Sequence, residues 1–225
     1  MPQHFSKLFL AAYCGVYVQE SFVLDEIISQ LKDKKSTKRR SAAKKLRKLK
    51  SIDAGSYLLS ALEEEIKDSR TWETQYQMIM ALGESSYKPA LSFLKSLVKH
   101  NFEATMIYVA IGDSIQRLSM QNEQDITSVF EAIKTGNDML VSGAIRAMAI
   151  LKIVPDDDSI ENIINYAIVQ KKNDGINFWI LAAAPGWSGQ KVQEYLDYCS
   201  TSKRDEIINA VELARKNKYK KWFPL

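Results

Sequence analysis

Three groups of residues in this 225-residue chain have types and spacings suited to chemistry. The first is a basic block. Eleven basic residues and one acid, Asp33, stand between Lys32 and Lys50. A block of this kind grips phosphates by releasing their counterions, or holds an acidic partner. On a helical wheel Arg40, Lys44, Arg47 and Lys48 fall opposite Ala42, Ala43, Leu46 and Leu49, which form the apolar face. No aromatic residue interleaves the block, so bases have nothing to stack on there. The outer, solvated face of a helix is the simpler account of it. The second group is the C-terminal run Arg215-Lys216-Asn217-Lys218-Tyr219-Lys220-Lys221-Trp222-Phe223, with five basic residues among three aromatics. That mixture suits acidic partners, membranes or nucleic acid. A cap, with Trp222 and Phe223 covering the last apolar face, is the preferred reading.

The third group is acidic. Glu63, Glu64, Asp125, Glu131, Asp157, Asp158, Glu161 and Glu194 fall on segments that read as the second helix of successive pairs. A face lined by these carboxylates repels phosphates and suits a basic protein partner. A solvated acidic face explains the same residues without a function.

Signatures of catalysis are missing from the sequence. It has no phosphate-binding G-x-x-x-x-G-K-[ST], no G-x-G-x-x-G and no G-x-S-x-G elbow. His4 and His100 have no neighbours that would complete a zinc site. Cys14 and Cys199 each sit on an apolar stripe, where a buried, inert thiol is expected. No metal, no cofactor and no enzymatic activity are therefore expected.

The elements that carry these residues are helices. With 46% hydrophobic and 26% charged residues, the chain has the composition of a globular protein. Nine Gly and five Pro are too few for a turn-rich all-β fold. Two Cys, 185 residues apart, cannot build a disulfide framework, so a reducing, cytoplasmic setting is the default. The apolar run Leu8–Val18 falls short of the roughly 20 residues that span a bilayer and reads as a buried first helix.

Internal repeats decide the architecture. Apolar triplets spaced three apart recur at Leu10/Tyr13/Val16, Ala43/Leu46/Leu49, Tyr76/Ile79/Leu82, Gly112/Ile115/Leu118, Ile145/Met148/Leu151 and Phe178/Leu181/Ala184. Their offsets are 33, 33, 36, 33 and 33 residues. Second stripes follow, starting at Leu24, Leu58, Leu91, Ile126, Ile160 and Val192. The spacing is helical. Six helix pairs result, with a last helix near Ser202–Lys216. Asp53, Asp156 and Ser188 are expected N-caps, while Gly55, Gly83, Pro89, Pro155 and Pro185-Gly186 are expected between helices. No long linker appears, so residues 1–225 read as a single domain.

Lys38-Arg39-Arg40-Ser41-Ala42-Ala43-Lys44-Lys45-Leu46 resembles the first-helix signature of HEAT repeats, and Ala81-Leu82-Gly83-Glu84 is similar to the ending of such a helix. The resemblance implies an all-α fold, a right-handed α-solenoid of six helix pairs with a C-terminal capping helix. It also implies that the second helices line a concave binding face. By that resemblance the expected function is a non-enzymatic protein-binding scaffold, such as a bacterial immunity protein that captures a basic toxin. Two alternatives bind nucleic acid, one without catalysis and one as an enzyme. The HEAT-like alkylpurine DNA glycosylases use a Trp and an Asp four residues apart. Here Asp113 has Val109 at the matching place, and Tyr76, Ala183 and Lys191 follow Trp72, Trp179 and Trp187 at that distance. No catalytic residue carries over.

Overall fold

A computed structural model describes residues 22–169 and 174–221. The stripe Leu10/Tyr13/Val16, together with His4, Cys14, Trp222 and Phe223, lies outside them. Among the described residues every regular element is a helix and none is a strand. The chain divides into two compact units, Met1–Ser85 and Ser86–Leu225.

The first unit contains α1 (22–30), α2 (Ser36–Leu49), α3 (Gly55–Glu65) and α4 (Trp72–Glu84). α4 packs against both α2 and α3. Ala42, Ala43, Leu46, Leu58, Leu62, Ile79 and Leu82 are removed from solvent there. Polar groups fix the join between α3 and α4. The Gln75 side-chain amide donates to the carbonyls of Glu65 and Asp68, at 3.1 and 2.8 Å.

The second unit contains α5 (Leu91–Leu97), α6 (Met106–Ser119), α7 (Thr127–Lys134), α8 (Asp138–Leu151), α9 (Asp157–Val169), α10 (Asp174–Ala183), α11 (Gln190–Ser200) and α12 (Asp205–Arg215). α6, α8, α10 and α12 lie side by side in that order. α5 packs on α6, α7 on α6 and α8, α9 on α10 and α11, and α11 on α12. The contact between α6 and α8 is the most extensive, and glycine is the reason. A Cβ on Gly112 would lie 2.1 Å from the Leu140 carbonyl oxygen, and one on Gly143 would lie 2.1 Å from that of Val109. The two helices therefore touch backbone to backbone.

Helix ends show which local signals operate. Asn137 caps α8 by accepting the N–H groups of Met139 and Leu140. Lys152 closes that helix in the left-handed region, at φ 59°. Asp156 receives the Ser159 N–H and caps α9 as expected. Asp53 and Ser188 do not cap: α3 begins after Ala54 and α11 after Gly189, neither with a side-chain cap. Gly55 and Gly83 fall inside α3 and α4, not between helices.

Of the expected stripes, Leu49 and Leu151 are corrected, being 56% and 41% exposed. Two steps of three residues do not follow a helix of 3.6 residues per turn. The third member of each triplet has rotated about 120° from the first. Leu82 and Leu118 escape this drift because α4 and α6 are buried on most sides.

Two outcomes follow for stability. Leu82→Ala and Leu118→Ala, at 0% and 2% exposure, should each lose roughly 2–5 kcal/mol through the cavity left behind, read as a fall in Tm. Gly143→Ala should also lower Tm. Alanine ordinarily favours a helix interior by about 1 kcal/mol, but here its methyl meets backbone. A higher Tm for that variant would refute the close approach.

Candidate functional site

The acidic residues singled out in the sequence are on the surface, and several are already engaged. Glu63, Glu64, Glu131, Asp157, Asp158, Glu161 and Glu194 are exposed, and Asp125 is half-buried. Glu64 pairs with Lys67 at 2.7 Å and Glu131 with Lys95 at 3.2 Å, while Glu194 accepts from Gln190. Asp125 closes a turn. The Thr127 and Gln121 N–H groups donate to its carboxylate and hold its pKa below the usual range.

The basic block is not the uniform solvated face that the wheel suggests. Lys44 and Lys48 are exposed, and Arg40 is half-buried beside Glu73. Arg47 is 3% exposed. Its guanidinium donates to Glu84 at 2.8 Å and to Gln77 at 3.2 Å, both on α4. Arg47 is thus a structural cation within the first unit, and the patch is reduced to Arg40, Lys44 and Lys48. Arg39 is likewise committed. Its Nε and Nη2 donate to the buried Glu65 carboxylate at 2.5 and 2.8 Å, and that contact raises its pKa.

A buried charge cluster in the second unit is one the sequence did not disclose. Asp113 on α6 has no exposure at all. Arg117 Nε donates to its Oδ1 at 2.6 Å, and Arg146 Nη1 on α8 donates to its Oδ2 at 2.5 Å. The glycine contact makes this possible, since Gly112 precedes Asp113 and Gly143 lies one helical turn before Arg146. A buried carboxylate requires such partners. The Arg146 guanidinium also lies 5.7 Å from the centre of the Trp179 ring on α10. Phe178 meets Trp179 edge-on at 5.2 Å, Lys220 sits 4.9 Å over Phe178, and Lys152 sits 5.5 Å over Tyr219. Cations and rings therefore meet in succession from α8 through α10 to the C-terminal segment. Each cation–ring contact is worth about 0.5–1 kcal/mol at an exposed site.

Tyr219 fastens the described part of the tail, while the cap expected of Trp222 and Phe223 lies outside the described residues. The Tyr219 hydroxyl donates to the Pro185 carbonyl at 2.5 Å, and Asn217 accepts the Gly186 N–H. Cys199 is buried on α11, as expected for an inert thiol, and burial pushes its pKa up to about 11. Tyr195 beside it donates to Asn177 and is also raised by burial. His100 follows α5, its ring 4.6 Å from Phe102. Among the described residues no group of three or more His, Cys, Asp or Glu is placed to hold a metal ion. No helix there is long and apolar enough to cross a membrane.

Only part of the Asp113 cluster had a signal in the sequence. Asp113 and Arg117 are four apart, the spacing of a helical ion pair. Arg146 comes from another helix and is visible only once α6 and α8 are packed. Neither a family model nor a curated protein matches the chain.

Asp113→Asn should remove the negative charge that two largely buried guanidiniums share and cost about 3–5 kcal/mol, measured by denaturant unfolding. Adding Arg146→Met should recover part of that loss. A double variant no better than the single one would show that the pair is not coupled. Cys199 should resist alkylation at neutral pH in the folded protein and react quickly on unfolding, with mass spectrometry locating the adduct. Because its folded pKa is raised, the stability it contributes is complete below pH 9 and lost as pH rises to about 11.

Proposed function

We propose that the chain is an α-solenoid of HEAT-like helix pairs, closed by α12, that acts as a non-enzymatic scaffold for a basic protein partner. Exposed tyrosines in register with carboxylates carry this reading. On α11 Glu194 and Tyr198 are one turn apart and both exposed; Tyr198 is at 50%. On α3 Tyr57 is 49% exposed and lines the same groove as Glu64. Tyrosine is enriched at protein interfaces, and surrounding carboxylates add steering for a basic partner. An immunity protein that neutralises a toxin is the specific case this chemistry suits, in the cytoplasm, where Cys199 stays reduced. A glycosylase reading is disfavoured, because Asp113 is sealed from solvent by two arginines and preceded at four residues by Val109.

One observation favours a second reading. Lys152 and Lys220, beside Tyr219 and Phe178, bring charge and aromatic rings together, which suits single-stranded nucleic acid.

Crosslinking in the native cell, followed by kinetics with the recovered protein, separates the two. The scaffold reading expects crosslinks on α3, α9 or α11. It also expects Glu64→Lys and Glu161→Lys to slow association about tenfold with Tm unchanged. Recovery of nucleic acid alone, with affinity falling steeply with salt and lost in Lys152→Glu and Lys220→Glu, would overturn it in favour of the second.

A further inference from the structure

A cavity of about 200 Å³ opens between α5, α6, α7 and α8 in the second unit. Its inner end is formed by Gly112 and Ala144, small residues from the close contact of α6 with α8. Val98, Ile115 and Ala132 supply apolar walls. Two hydroxyls also line it, and both are spent internally. Ser128 donates to the Gln116 side chain, and Thr135 donates to the Ala132 carbonyl at 2.6 Å. The interior therefore offers a ligand apolar contact and no free donor. The space is ring-sized, since an apolar cavity of about 150 Å³ accepts benzene.

The exposed lining has a different character. Lys95 from α5 and Lys99 from the turn that follows it face Glu131 from α7. Lys95 is paired with Glu131 at 3.2 Å. Among the described residues Lys99 has no carboxylate within ion-pair distance. Two cations and one anion leave this rim one positive charge in excess, beside an apolar interior. A ligand that complements both carries one negative charge on a compact apolar body.

We propose that this cavity binds a small amphiphilic carboxylate, its ring-sized apolar body held between α5, α6, α7 and α8 and its carboxylate facing Lys99. The site shares only Glu131 with the acidic group considered for a protein partner and does not depend on either reading.

Fluorine NMR titration of the full chain with 4-fluorophenylacetate, and with neutral 4-fluorotoluene, tests the proposal. The carboxylate should bind about tenfold more tightly than the neutral ring, the increment of a charge-assisted contact at a partly exposed site. Lys99→Glu should abolish that difference and leave 4-fluorotoluene binding unchanged. Ala132→Leu, which fills the interior, should weaken both probes. If that variant loses its cooperative melt, Val98→Phe fills the same space nearer the surface. Failure of the wild-type chain to bind either probe at millimolar concentration would overturn the proposal. Equal binding of the two probes, or binding indifferent to both the lysine and the filling substitutions, would do so as well.

Discussion

The second unit depends on one steric fact: α6 and α8 meet through bare backbone at Gly112 and Gly143. Helix axes normally stand 8–10 Å apart because side chains separate them. Removing two Cβ atoms at the crossing draws the axes together. Everything built on either helix inherits that spacing. Asp113 is carried to within reach of Arg146, so a carboxylate can be sealed away from water with its charge matched from two helices. On the other side of the crossing the same small residues leave room, and the cavity bounded by Gly112 and Ala144 occupies it. A methyl group at either glycine would disturb an ion pair and a void together.

Much of the architecture was legible in the sequence because amphipathic helices announce themselves. Eleven of the twelve proposed helix stripes fall on described residues, and each lands largely on a helix, with Leu31, Ile66, Ile126 and Ala184 one residue outside the ends. What periodicity could not supply was the depth of burial. Leu49 and Leu151 belong to real helices but have turned away from the core. Thr74, Gln75 and Gln77 on α4 are buried although their types suggest a wet face. Burial depends on how many neighbours surround a helix, and a one-dimensional pattern records only one face at a time.

Charge was the less legible property, for a related reason. A helical wheel places Arg47 among solvated lysines, yet Gln77 and Glu84 arrive from α4 and enclose it. Asp113 carried no signal beyond its helical spacing to Arg117. The exposed carboxylates lie on the surface, and two of them meet a nearby lysine, Glu64 at Lys67 and Glu131 at Lys95. An ionised group that finds its partner across helices is invisible until the helices are packed. One that finds it locally can be read from the sequence.

The C-terminal segment has a consequence for cooperativity. In a row of packed helices each element ordinarily leans on its immediate neighbours, and the last one frays at little cost. Here the chain beyond α12 turns back. Asn217 and Tyr219 hold the turn between α10 and α11, and the Tyr219 ring lies under Lys152 at the end of α8. That strap reaches α8 as well as the turn between α10 and α11, and so ties the end of the row to a helix beyond α10 and α11, on which α12 itself packs. Partial opening at this end must release α8, α10 and α12 together. Backbone amides in those three helices would then exchange with solvent through a single shared opening event, and the terminal helix would be as well protected as one within the row.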